Sequence, residues 1–179
     1  MANLDISKLR TLLKNTMRVS IRSAQDADKN RFIELNVKLN QFSRKHHCEE
    51  CKTDDFQNVL EAIRIKAEQT FLQRDDDIEI LMAEVEGKVC GYALGRIIHE
   101  EPWVDNGTGR MGLFDELYLD ESTRGLGLGQ EMIDKVMSWM KQKGISRVKL
   151  HAYSWNTHAK RIYEQNGFRE YAVSYETFL

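Results

Sequence analysis

The sequence predicts an α/β domain built on a mixed, partly antiparallel sheet flanked by helices. The apolar period switches between two and about 3.6 along the chain, in the order β-α-α-β-β-β-α-β-α-β. The length of 179 residues falls within the roughly 100–200 residues of one domain, and at that size folding buries roughly 70% of the unfolded surface. With 41% apolar and 30% charged residues, a disordered or collagen-like chain is excluded.

Each element follows from its residues. Leu4, Ile6, Leu9, Leu12 and Leu13 read as a short amphipathic helix in an N-terminal extension, residues 1–16, ahead of a domain spanning 17–179. Met17, Val19 and Ile21 alternate with Arg18, Ser20 and Arg22, the period of a half-buried strand. Asp26 and Asp28 mark a helix start before Phe32, Leu35 and Leu39. A second helix starts at Asp54 or Asp55, carries Phe56, Leu60, Ile63, Ala67 and Phe71 on one face, and ends before Asp75-Asp76-Asp77. Ile78–Val85 and Lys88–Ile97 read as strands joined at Glu86-Gly87, a hairpin. A loop with Glu100, Glu101, Pro102 and Asn106-Gly107 precedes a strand from Met111 to Leu119. Leu128, Met132, Ile133, Val136, Met137 and Met140 form the strongest helical stripe, stopped by Gly144. Val148–Tyr153 reads as a strand, Ala159, Ile162 and Tyr163 as a short helix closed by Asn166-Gly167, and Phe168–Phe178 as a final strand.

Composition narrows the function. No run approaches the roughly 20 apolar residues of a membrane span, and Lys8, Arg10, Lys14, Arg18 and Arg22 interrupt every apolar stretch a secretory signal would need. Three cysteines, an odd number, argue against a secreted disulfide scaffold and for a reducing cytoplasm. The net charge of −2 excludes general nucleic-acid binding. Its distribution is uneven: +5 over residues 1–53, −11 over 54–121 and +4 over 122–179. Either exposed faces simply carry charge of both signs, or an anion is met near the C-terminal end and a cation near the middle.

Arg124-Gly125-Leu126-Gly127-Leu128-Gly129 lies between a predicted strand and the strongest helix. Glycines there turn backbone N–H groups inward, and the helix start adds partial positive charge, so the turn suits an anion such as a diphosphate. It is not a P-loop, because Gly129 is followed by Gln130-Glu131 rather than Lys-Ser/Thr. It is not the dinucleotide fingerprint either, which would place a glycine at Gln130 and an N-terminal βαβ unit before it.

Asp115-Glu116-Leu117-Tyr118-Leu119, then Arg124-x-x-Gly127-x-Gly129, then Asn156-x-x-Ala159-x-x-x-Tyr163-x-x-x-Gly167-Phe168, resembles the GCN5-related N-acetyltransferase (GNAT) superfamily. The resemblance implies an acyl-CoA N-acyltransferase fold and acetyl-CoA as co-substrate. By the same resemblance, N–H groups of Gly125, Leu126, Gly127, Leu128, Gly129 and Gln130, with Arg124, hold the CoA diphosphate. The strand edge at Leu117, Tyr118 and Leu119 pairs with the pantetheine amides and is splayed from its neighbour. Asn156 binds the pantetheine arm or caps its helix. Tyr163 stands near the CoA sulfur, where a phenol protonates the leaving thiolate, unless it is a core tyrosine.

The implied reaction is direct attack of an amine on a thioester. An alkyl amine with a pKa near 10.4 arrives protonated, so a base is needed. The position where several relatives carry it is Leu113, which cannot serve. Alternation puts Asp115 on the Leu113 face and Glu116 on the opposite one. Asp115 ranks first as base, with Glu116 and His151 close behind. The acids Glu100, Glu101, Asp105, Asp115 and Glu116 favour a cationic amine: a polyamine, an aminoglycoside-like amine, a lysine or a peptide amino terminus. His46-His47-Cys48-Glu49-Glu50-Cys51 lacks the downstream ligand pair of a zinc site, and no metal is expected; in relatives that region walls the acceptor pocket. Two other functions stand beside the enzyme: a non-catalytic acyl-CoA-binding regulatory domain, favoured by Leu113, and a nucleotide-binding protein. A homodimer is left open.

Overall fold

The computed structural model describes residues 17–49, 55–101, 103 and 109–178. The expected extension at 1–16, Asp54 as a helix start, Glu50, Cys51, Pro102, Asp105 and Asn106-Gly107 lie outside them. The elements are β1 (Val19–Ser23), α1 (Lys29–Arg44), α2 (Phe56–Leu72), β2 (Ile78–Val85), β3 (Lys88–His99), β4 (Arg110–Leu119), α3 (Leu128–Gln142), β5 (Val148–Leu150) and α4 (Thr157–Gln165). The five strands lie side by side in chain order. The pairs β1–β2, β2–β3 and β3–β4 are antiparallel and β4–β5 is parallel, the mixed sheet the sequence predicts.

Strand alternation divides the core. Leu81, Ala83 and Val85 of β2, with Ala93 and Ile97 of β3, pack under Leu128, Met132, Ile133, Val136 and Met140 of α3. Ile80, Met82, Tyr92 and Leu94 face the other way, onto Phe32 and Leu35 of α1 and Ala67 and Phe71 of α2. Burying each large apolar side chain contributes about 1.5–3 kcal/mol, so these two stripes fix which face each helix covers. The β2–β3 hairpin turns on Glu86 (φ 51°) and Gly87 (φ 72°), both at positive φ, as a two-residue hairpin turn demands. Asp55 accepts hydrogen bonds from the Gln57 and Asn58 backbone amides and starts α2.

Two expectations fail at the C-terminal side. β5 stops at Leu150 rather than Tyr153, and residues 168–178 contain no strand. Tyr171, Val173 and Tyr175 do alternate, but they are exposed. Alternation supplies a pattern and not a partner, and a strand of three residues offers little edge to pair with. Tyr171 instead lies under the cations of Arg147 (4.8 Å) and Lys149 (5.0 Å). No helix among the described residues is long and apolar enough to cross a membrane.

Candidate active site

The site grows out of two irregularities in β4. The first is a bulge. Leu94 pairs with Glu116 and Gly95 with Phe114, so Asp115 is an extra residue opposite no partner. Alternation is interrupted there, and the expectation that Asp115 and Glu116 point to opposite faces is corrected. Asp115 Oδ2 accepts from Arg96 Nε at 2.7 Å, and Arg96 Nη2 donates to Thr70 of α2 at 3.0 Å. Glu116 Oε2 accepts from the Tyr92 hydroxyl at 2.7 Å and from Asn36 Nδ2 of α1. Both carboxylates therefore stand on the face covered by α1 and α2.

The second irregularity is where the β4–β5 ladder ends. Pairing runs from Gly112↔Val148 through Phe114↔Leu150 and no further. Beyond Phe114 the outer edge of β4, through Leu117, Tyr118 and Leu119, has no strand beside it among the described residues. The Tyr163 ring packs edge-on against Phe114, centroids 6.3 Å apart, at the apex of this opening. The carboxylates stand on the other face of β4, at the two residues that follow Phe114.

Local electrostatics separate these groups. Burial pushes the Glu116 carboxyl above the usual carboxylate range, against the pull of the Tyr92 hydroxyl; Asp115 pushes the same way as burial, and Lys66 and Arg96 oppose it. Burial alone pushes the Tyr163 phenol up, which keeps it protonated at neutral pH. Burial and the neighbouring Glu116 push Tyr92 well up. His151 is exposed just past β5.

The glycine-rich turn follows β4. Gly125 (φ 82°) and Gly127 (φ 80°) hold the left-handed conformation, which costs an L-residue roughly 1–2 kcal/mol. Gly127 is the N-cap of α3, so the amides from Gly125 to Gln130 surround a helix start. Arg124 Nε donates to the Leu119 carbonyl at 3.2 Å, and its guanidinium lies 5.3 Å from the Phe42 ring. The Gln130 and Asn166 side-chain amides bond reciprocally at 2.6 and 3.0 Å, tying the start of α3 to the end of α4. Asn156 Oδ1 accepts from the Ala159 amide at 3.2 Å, the helix-capping alternative for that residue.

His46 stacks on Trp155 at 4.4 Å, and His47 meets Tyr153 edge-on at 5.2 Å. The histidine pair thus belongs to an aromatic wall between the end of α1 and the segment before α4. Nothing in the sequence places Tyr92 or Asn36 beside Glu116. One signal was present: Asn36 is polar at four residues from Phe32 and three from Leu39, on the apolar stripe of its helix.

The family model described as the acetyltransferase (GNAT) family matches residues 36–168. The chain belongs to that family. Spermine/spermidine N(1)-acetyltransferase of Bacillus subtilis is 25% identical over 154 residues, 86% of this chain and 89% of its own length. Mycothiol acetyltransferase of Beutenbergia cavernae is 27% identical over 122 residues, 64% of this chain; the match spans only 35% of that longer protein. A predicted acetyltransferase from Clostridium acetobutylicum, solved with acetyl-CoA, superposes with a TM-score of 0.69 at 18% identity, covering 90% of this chain and 96% of that one. Along the chain the open β4 edge, the glycine turn and α4 follow one another in the order the sequence motifs run.

Proposed function

We propose that the domain beginning near residue 17 transfers an acetyl group from acetyl-CoA to a primary amine, and that Glu116 is the general base. The observation that carries this reading is the free β4 edge beyond Phe114, with a half-buried carboxyl on one face, a half-buried phenol at the apex and a positive-φ glycine turn at the end.

These features fit the coenzyme. Amides of Gly125 to Gln130 at the α3 start suit a diphosphate, with Arg124 beside them. The edge at Leu117, Tyr118 and Leu119 suits an amide-bearing arm, and Asn156 orders the helix that closes the arm in. The coenzyme supplies a thioester carbonyl. Glu116 takes the proton of the attacking nitrogen as the N–C bond forms, and Tyr163 gives its phenolic proton to the departing sulfur. Asp115 is committed to Arg96, which ranks it below Glu116 as a base and makes it a fixed negative charge beside the acceptor. His151, exposed beyond β5, ranks last. Two acids on one face suit a cationic acceptor, and the B. subtilis relative is a polyamine enzyme. The free thiol of buried Cys90 suits a reducing cytoplasm.

The test is thiol release from acetyl-CoA across spermidine, lysine, a peptide amino terminus and glutamate. Cationic amines are expected to turn over and glutamate to lag. Glu116→Gln is expected to lower kcat/KM by about 10²–10³ and Tyr163→Phe by at least about tenfold, with acetyl-CoA binding intact. A chain that binds acetyl-CoA yet releases no thiol with any amine would be a binding domain instead.

A further inference from the structure

Two side chains converge on a single oxygen of Glu116. The Tyr92 hydroxyl and Asn36 Nδ2 both donate to Oε2, and Asn36 Nδ2 also reaches the Tyr92 oxygen at 3.1 Å. The donor directions are fixed by inventory. A phenol has one proton, which Tyr92 gives to Glu116, so its oxygen accepts from Asn36. The amide end of Asn36 is set by Asn40, whose Nδ2 donates to the Asn36 backbone carbonyl at 2.9 Å and to Oδ1 at 3.3 Å. The Tyr92 ring is fully buried and locked edge-on against Phe32 at 4.9 Å; Asn36 is 6% exposed.

Two donors occupy the lone pairs of Oε2, and a proton placed there would compete with the fully buried Tyr92 hydroxyl for the acceptor it uses. Among the described residues none donates to Oε1. We propose that Tyr92 and Asn36 are positioning residues that pin Oε2 and leave Oε1 as the atom that receives the proton of the acceptor amine. The proposal rests on Glu116 being the base and adds which of its oxygens works and what holds it.

The surroundings give the sign of the test. Glu116 faces Tyr92 and Arg96 of β3, Asp115 of β4, Asn36 of α1 and Lys66 of α2. Asp115 disfavours its charged form; Arg96, Lys66 and the pinning donors favour it. Removing a donor therefore raises the carboxyl pKa further. Tyr92→Phe keeps the ring, and Asn36→Leu keeps a good helix former in α1.

The experiment titrates the Glu116 carboxyl by ¹³C NMR in the ligand-free chain, its resonance identified by disappearance in Glu116→Gln. In Tyr92→Phe, or in Asn36→Leu should the first fail to fold, the midpoint is expected to rise by about one pH unit. The acid limb of kcat/KM should move with it while the KM for acetyl-CoA stays put. A structural role alone would lower Tm without moving either midpoint. An unchanged carboxyl titration in a folded variant overturns the pinning, whatever the activity. Wild-type turnover by Glu116→Gln overturns the base reading, and with it the task given to Oε1.

Discussion

Burial pushes the Glu116 carboxyl above the usual range, so folding favours its protonated form. An unfolded glutamate loses its proton near pH 4.3, while the folded one holds on to higher pH. Between those values the native state binds more protons than the unfolded state, and stability falls as pH rises. Above the folded pKa the loss is complete. A carboxyl so placed therefore destabilises the chain once it is ionised. Glu116→Gln removes the charge and keeps an oxygen for Tyr92 and Asn36. Its Tm at pH 8 is expected to exceed that of the parent by about 2–4 °C, with the difference vanishing by pH 4, while acetyl transfer collapses. Thermal scans across that range check it, and a variant less stable than the parent at pH 8 would show the carboxylate to be well satisfied where it lies. Leu113 pairs with Arg96 across the sheet, and the acids of β4 are the two residues after Phe114.

At the scale of elements, the proposed site is carried by β4 and the turn after it. The turn was legible from glycine spacing, because Gly125 and Gly127 occupy the φ that side chains avoid. Alanine at Gly127 is expected to cost about 1–2 kcal/mol and to weaken acetyl-CoA binding about tenfold by tilting the amides at the start of α3. Gly144, at φ 76° beyond the other end of α3 with open space where a Cβ would go, provides the comparison. Gly144→Ala should cost similar stability and leave the affinity alone. Calorimetric binding separates the two, and equal losses of affinity would place the ligand elsewhere. The helices, the hairpin and the motif residues were readable because each is a local pattern of period, cap or turn. The bulge was not, since Phe114-Asp115-Glu116 carries no local mark and the extra residue is defined only against β3. Nor was the partnership of Asn36, Tyr92 and Glu116, which joins residues 24 to 80 positions apart. The alternation at 168–178 misled for the same reason: a strand is a relation between two segments.

Across the whole molecule, the uneven charge of the sequence has a folded counterpart. Bases of the first third meet acids of the middle: Arg22 with Glu84 at 2.6 Å, Lys29 with Glu68 at 2.8 Å, Arg31 and Lys38 with Asp120 at 2.7 and 3.3 Å. Part of the acidic middle is thus answered within the chain, as Asp115 is by Arg96. Most of these pairs are partly exposed and contribute little. Arg22 differs, because it also grips Asp28, whose side chain is 8% exposed, at 2.6 Å, in the turn that launches α1. Hydrogen bonds from Arg22 hold the Asp28 carboxyl below its usual range against burial. Replacing Arg22 by Met strands that carboxylate and is expected to cost about 3 kcal/mol, lowering Tm at pH 7 by roughly 6–12 °C. A depressed carboxyl contributes its stability above the unfolded pKa, near 3.9, and loses it as pH falls through the folded value. The gap between parent and Arg22→Met should therefore hold from pH 8 to pH 5 and close below pH 4. A gap undiminished at pH 2.5 would assign the loss to the packing of the arginine stem rather than to its charge.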